Sequence, residues 1–168
     1  MIEIKKSEKF LDQIIKAFSD SGLSKDYLKD YQQDFLSLKR FLWTAFVDGN
    51  VAGYVILKVE SQYEPFAKNK IPEISDLNVL PEFRRNGTAK QLILVAEVKA
   101  SEISETVGIG VGLYGGKDLG YGPAQKLYIK LGFIPDGLGV TYGYEKCIPG
   151  RSYPLDDNLV LWMEKKLR

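Results

Sequence analysis

Residues 73–93 read EISDLNVLPEFRRNGTAKQLI, and the fold is decided by how this stretch is parsed. Ile71 to Val79 reads as a strand, Pro81 breaks it, and Asn86-Gly87 marks a tight turn. A helix follows from about Gly87 to Ser104. Strand, turn and helix in this order aim unpartnered backbone N–H groups at an anion, and the helix dipole favours negative charge there. Gly87 lets backbone approach a pyrophosphate with no Cβ in the way, and Ala89 keeps the next turn small. Arg84 and Arg85 add charge and fork-shaped donors. On these residues alone, paired arginines at a solvated surface turn are the simpler account.

Working outward, residues 1–5 (MIEIK) look like a short strand. Phe10, Leu11, Ile14, Ile15 and Phe18 recur at helical spacing, and Gly22 ends that helix. Leu23 to Leu38 reads as a second helix, capped by Ser24, with Tyr27, Tyr31, Phe35 and Leu38 on one face. Phe41, Trp43, Ala45 and Val47 then alternate up to Asp48-Gly49-Asn50, and VAGYVILKVE follows, which predicts a β-hairpin. Beyond the central helix come a glycine-rich strand (Val107 to Leu113), a loop with Gly115-Gly116, and a short helix from Pro123 to Leu131-Gly132. FIPDGLGVTYGYEK and NLVLWMEKKL read as strands joined by a Pro- and Gly-rich loop. The order β-α-α-β-β-β-α-β-α-β-β predicts an α/β (α+β) three-layer domain, and no repeat or linker divides residues 1–168.

Composition narrows the chemistry. With 168 residues, 45% hydrophobic and 27% charged, the chain is long enough for one real core. A net charge of +1 provides no global field for nucleic acid or a membrane surface. No apolar run approaches the roughly 20 residues of a spanning helix, and the N-terminus lacks a signal-like apolar stretch. A single cysteine, Cys147, rules out an internal disulfide and fits a cytoplasmic protein. There is no histidine, so Ser-His-Asp and Cys-His catalysis and the common zinc sites are excluded. No metal is expected, and acid–base work must fall to Glu, Asp, Tyr, Lys or Cys.

Arg84-Arg85-Asn86-Gly87-Thr88-Ala89 fits the pattern Arg/Gln-x-x-Gly-x-Gly/Ala, and about 40 residues downstream stands Leu127-Tyr128-Ile129-Lys130-Leu131-Gly132-Phe133. Together, and in this element order, the two segments resemble the GNAT superfamily of acetyl-CoA-dependent N-acetyltransferases. The resemblance spans essentially the whole chain. It implies a central mixed sheet of six to seven strands flanked by about four helices. It also implies acetyl-CoA as co-substrate and a primary amine as acceptor. A homodimer is compatible with it, since family members often dimerise.

Carried over by position, the resemblance makes Leu77, Asn78 and Val79 the lining of the pantetheine arm, with the Val79 N–H as donor to the thioester oxygen. Arg84, Arg85, Asn86, Gly87, Thr88 and Ala89 would hold the pyrophosphate, and Gln125 would touch coenzyme A. Tyr128 matches the tyrosine that protonates the departing thiolate. Glu73 and Asp76 match acidic positions that in different members take the proton of the attacking amine. Glu73 is the first choice; its side chain shares a face with Ser75, Leu77 and Val79 if no bulge intervenes. Without the resemblance, Tyr128 reads as core, Glu73 as a solvated charge and Asp76 as a structural hydrogen-bond acceptor.

The sequence also departs from the pattern. Tyr121 stands seven residues before Tyr128, where many members carry asparagine, and Val107 to Leu113 is unusually rich in glycine. Those glycines either open a channel or leave a poorly packed strand. Tyr114, Asp118 and Tyr121 are expected near the acceptor mouth, and Asp156-Asp157 in a turn. Tyr27, Asp30, Tyr31 and Asp34 read as the face of a solvated helix, while the resemblance would make them an acceptor wall. Trp162 is expected in the core. Two functions compete: direct acetyl transfer to an amine, favoured as a small molecule, and a non-catalytic acyl-CoA-binding module.

Overall fold

The computed structural model describes residues 1–115 and 120–167, so the expectation for Asp118 falls outside the described residues. Eight strands form one sheet: β1 (Ile2–Lys6), β2 (Arg40–Val47), β3 (Asn50–Lys58), β4 (Glu73–Val79), β5 (Thr106–Gly112), β6 (Ile134–Tyr142), β7 (Glu145–Lys146) and β8 (Leu159–Lys166). Their order is β1-β2-β3-β4-β5-β8-β6-β7. Among the described residues only the β4–β5 pair is parallel. The α-helices are α1 (Leu11–Asp20), α2 (Gln32–Leu36), α3 (Glu64–Lys68), α4 (Thr88–Ser101) and α5 (Gly122–Lys130). The mixed, three-layer sheet expected from sequence is present, with one strand more than the six to seven anticipated; the two-residue β7 is the shortest strand.

Two apolar cores cover the two faces. On one face, Leu92, Ile93, Ala96 and Ala100 of α4 and Tyr128 of α5 pack on Phe41, Trp43, Val55 and Ile74. On the other, Leu11, Ile14, Ile15 and Phe18 of α1 pack with Leu28 and Phe35 on Leu42, Tyr54 and Ile56. The hairpin forms as expected: Asp48 and Gly49, both at positive φ, make the tight connection that matches strand twist.

The single helix expected over Leu23 to Leu38 is replaced by 3₁₀ turns over Asp26–Tyr31 followed by the five-residue α2. Ser24 does not cap it; its hydroxyl donates to the Asp26 carboxylate at 3.0 Å. Tertiary contacts override local propensity here. The Tyr27 hydroxyl donates to Asp76, and the Arg40 guanidinium sits 3.9 Å from the centre of the Tyr31 ring. Helix α3, with Pro65 at its first turn, was not anticipated, although Pro there is a start signal.

The glycine-rich strand is well packed, and at Gly110 and Gly112 it also borders open space. A Cβ on Gly108 would lie 2.0 Å from the Phe66 ring of α3, and one on Gly112 2.3 Å from the Tyr121 ring. Aromatic rings therefore pack directly on β5 where side chains are missing. Gly108→Ala is expected to cost about 1–3 kcal/mol through overpacking. Thermal denaturation should show it as a fall of the order of 2–10 °C in Tm.

Candidate active site

β4 and β5 pair only at Glu73–Gly108 and Ile74–Ile109. Beyond them the strands part, because β4 stays on β3 through a bulge while β5 follows β8 to Gly112. The gap opens into a cavity of about 530 Å³, within the range of small-ligand sites. Leu77 and Asn78 line it from β4, Gly110 and Gly112 from β5, and Tyr128 from α5.

The bulge sets the geometry. Tyr54 opposes Asn78 and Ile56 opposes Ser75, so three steps on β4 match two on β3. Asp76 takes up the extra residue at φ +50°, a conformation that Asp tolerates better than most side chains. Its effect is to swap faces. Ile74, Leu77 and Val79 all pack toward the α4 core, while Asp76 and Asn78 reach hydroxyls on the α1 side. The face that Glu73 would share with Leu77 and Val79 in a regular strand does not exist.

Leu80 donates its N–H to the Ala52 carbonyl at 2.9 Å, and Val79 stands opposite Gly53. Opposed residues alternate between bonded and non-bonded pairs, so the Val79 N–H turns away from β3 toward the gap. Gly53 permits this approach: a Cβ there would lie 2.4 Å from the Asn78 carbonyl oxygen. A glycine in the middle of a hairpin strand is itself a sequence signal for such a close approach.

The turn before α4 is shaped by its own side chains. Asn86 Oδ1 accepts the Thr88 N–H at 3.2 Å and the Thr88 hydroxyl at 2.6 Å, and Thr88 is buried. These two side chains are spent on the loop. Arg84 folds back, its Nε donating to the Val79 carbonyl at 3.0 Å, and Arg85 is exposed at φ +62°. Gly87, at φ +91°, has open space where a Cβ would project. The first N–H groups of α4, including those of Ala89 and Lys90, have no intrahelical partners and carry the positive end of the helix dipole. Gln125 is committed differently from expectation: its Nε2 donates to the Gly112 carbonyl at 2.8 Å, holding α5 against β5.

Of the three acid–base candidates, two line the cavity with a group to spare. Tyr128 is 6% exposed, and burial alone pushes its phenol above the ordinary tyrosine range, which keeps it protonated. Asp76 accepts only a 3.2 Å bond from the Tyr27 hydroxyl. Glu73 is no solvated charge: at 4% exposure it accepts from Lys58 Nζ at 3.3 Å and from the Ser61 hydroxyl at 2.6 Å. The attraction of Glu73 offsets the desolvation of Lys58 and holds that ammonium above its usual pKa.

Several cavity residues were undervalued in the sequence. Tyr27 and Tyr31 line the cavity, Tyr27 with 38% of its surface still exposed, whereas Asp30 is exposed and Asp34 pairs with Arg40 at 2.7 Å. Asp156 does shape a turn, accepting the Asn158 N–H, but Asp157 lines the cavity and accepts the hydroxyls of Tyr114 at 2.7 Å and Tyr121 at 2.9 Å. Trp162 is buried as expected, stacked 4.4 Å from the Tyr63 ring, and still reaches the cavity. Among the described residues no cluster of acidic or Cys side chains is placed to hold a metal, and no helix is long and apolar enough to cross a membrane.

A model of the acetyltransferase (GNAT) family matches residues 8–133. The chain belongs to the GNAT acetyltransferase family. Solved structures agree in fold. An N-acetyltransferase from Staphylococcus aureus Mu50 superposes with a TM-score of 0.71 at 17% identity, covering 100% of this chain and 99% of that one. A Bacillus subtilis acetyltransferase in complex with CoA gives a TM-score of 0.66 at 20% identity, with 100% of both chains covered. A Salmonella typhimurium structure described with its cofactor acetyl-CoA gives 0.67 at 15% identity, covering 100% of this chain and 95% of the other. No curated protein matches the sequence significantly. The matched segment of this GNAT chain contains every residue proposed from sequence for cofactor and catalysis. It ends at Phe133, before the turns and strand that bring Tyr144, Asp157 and Trp162 to the cavity.

Proposed function

We propose that this GNAT protein moves an acetyl group from acetyl-CoA to a primary amine on a small molecule, by direct attack within a ternary complex. The gap between β4 and β5 carries this reading, with the Val79 N–H turned into it and Tyr128 on its wall. Pantetheine laid along β4 would extend the sheet as an added strand, with Leu77, Asn78 and Val79 as its edge. The pyrophosphate would sit over Gly87 and the first turn of α4, with Arg84 and Arg85 supplying charge.

The chemistry then follows from the groups present. The amine must be neutral to attack, and free alkylamines are protonated near pH 7, so a base has to accept a proton. We assign this to Asp76, directly or through one water, because both oxygens of Glu73 are engaged by Lys58 and Ser61. The nitrogen lone pair forms the C–N bond, and the thioester oxygen gathers negative charge opposite the Val79 N–H. Collapse breaks the C–S bond as Tyr128 delivers a proton to the sulfur; the nitrogen's second proton leaves to solvent, which reprotonates the Tyr128 phenolate. The products are the acetamide and free CoA. A concave site of about 530 Å³ suits a small acceptor better than a folded protein surface.

Acetyl-CoA at about 100 times its dissociation constant should stabilise the protein by roughly 2.7 kcal/mol, a rise in Tm of roughly 5–10 °C. Gly87→Gln should keep the fold, at a cost of about 1–2 kcal/mol for its left-handed backbone, because no protein atom lies near the new Cβ. The variant should lose most of the acetyl-CoA shift. Absence of any shift in the wild type at saturating ligand would defeat the proposal.

A further inference from the structure

Besides Asp157, whose carboxylate is held by the Tyr114 and Tyr121 hydroxyls, the cavity holds two opposite charges that are not paired with each other. Lys25, in the segment between α1 and the 3₁₀ turns, is half-buried and lines the cavity. Its Nζ donates to Asn78 Oδ1 at 3.1 Å and lies 5.8 Å from the ring centres of Phe18 and Tyr27. Among the described residues no carboxylate comes within 4.0 Å of it. Burial lowers its pKa, an effect opposed but not cancelled by the more distant Asp76 and Asp157. Asp76 is in the matching position, with a tyrosine hydroxyl as partner and no described cation within 4.0 Å. The other lysine facing this cavity, Lys58, is already neutralised by Glu73 at 3.3 Å.

A directed hydrogen-bond chain fixes the two free charges in place. Lysine has only donors, so the oxygen of Asn78 faces Lys25 and its Nδ2 donates to the Tyr54 hydroxyl at 3.2 Å. Tyr27 gives its one proton to Asp76, so at 3.3 Å Tyr54 must be the donor to Tyr27. Every donor from Lys25 to Asp76 therefore points the same way. Ammonium and carboxylate polarise the chain from its two ends and hold each other's supports rigid. Tyr54 is completely buried, which prevents the chain from rearranging cheaply.

We propose that the acceptor is an amine that also carries a carboxylate, of the amino-acid class, its nitrogen beside Asp76 and its carboxylate on Lys25. This rests on the amine-acetylation reading above and extends it to substrate class. A zwitterion neutralises both charges at once, whereas a plain alkylamine leaves Lys25 desolvated and a plain acid leaves Asp76 unmatched. One unpaired lysine suits a carboxylate monoanion better than a phosphate dianion. Asp76 takes one proton from the bound ammonium before the freed lone pair attacks, so a single side chain serves binding and deprotonation.

The test is a matched panel: α-, β- and γ-amino acids, each against the alkylamine lacking its carboxylate and, for chain-length partners, against a phosphate-bearing amine. Wild-type kcat/KM should favour the carboxylate-bearing member of at least one pair by about 10–100-fold, the range for a charge-assisted hydrogen bond. Lys25→Met should bring that pair near parity, mainly by raising KM, and Lys25→Arg should restore most of the preference. Thermal unfolding of each variant, with and without acetyl-CoA, confirms that fold and cofactor site are kept. Equal or better use of alkylamines, preference for the phosphate compound, or a preference that survives Lys25→Met would overturn the substrate class and leave acetyl transfer standing. If no amine is acetylated although acetyl-CoA shifts Tm, calorimetric titration of the panel into the CoA complex decides. Lys25-dependent binding of amino acids supports the site, and no binding refutes it.

Discussion

Tyr128→Phe is expected to lower kcat by about 10²–10⁴-fold, the usual contribution of a positioned general acid. Affinity for acetyl-CoA and thermal stability should barely change. The ring is buried against the α4 core, 6.1 Å from Phe133, and Phe fills the same space. No described hydrogen bond or charge perturbs the hydroxyl, so its removal strands no partner. Because burial raises the phenol above its ordinary range, the acid form persists through neutral pH, and no alkaline loss of activity should arise from this group near pH 8. The decisive measurement is steady-state acetyl transfer alongside calorimetric binding of acetyl-CoA. An acetyl thioester with a more acidic thiol should narrow the gap between variant and wild type, since a better leaving group needs less protonation. Undiminished turnover in Tyr128→Phe would remove the tyrosine from the mechanism. A wild type that binds acetyl-CoA but acetylates no amine would favour the non-catalytic binding module.

The two carboxylates on β4 should separate cleanly into one that holds the fold and one that carries the reaction. Glu73→Ala leaves Lys58 buried and unpaired, which is expected to cost about 3–5 kcal/mol, since both side chains are under 10% exposed. Replacing Glu73 and Lys58 together by Met should recover much of that loss, because the desolvation of two ions is then avoided. Asp76→Asn should behave in the opposite way. Asn tolerates the left-handed backbone of the bulge at least as well as Asp and still accepts from Tyr27, so stability should hold. Turnover should fall by about 10²-fold or more with the base gone. Denaturant titration and initial rates on the same four proteins test both halves. A folded Glu73 variant that has lost turnover, beside an active Asp76→Asn, would return the base to Glu73.

The parts of the fold that are legible in the sequence rest on short-range physics. Asp48-Gly49 between two apolar strands specifies a hairpin because few residues adopt the required backbone. Gly87 ahead of an apolar helical run specifies the turn that exposes N–H groups, for the same reason. The Arg84–Ala89 and Leu127–Phe133 motifs are each contiguous, so family membership can be read along the chain without knowing which residues meet in space. The Leu23–Leu38 segment resists such reading because its conformation is set by partners far along the chain, Asp76 and Arg40 among them.

By itself, then, the sequence determined most of the element types, the glycine turn before α4, the family and the absence of histidine chemistry. Each depends on local backbone preference, contiguous motifs or composition. Tertiary structure alone decided which side of β4 each residue faces, since one extra residue at Asp76 reverses the alternation and is visible only against β3. It also decided that Glu73 is neutralised by Lys58, that Asp157 gathers two tyrosines, and that Lys25 and Asp76 share one cavity. These pairings join residues from 15 to more than 40 positions apart, and side-chain charge becomes chemistry only once burial has chosen its neighbours.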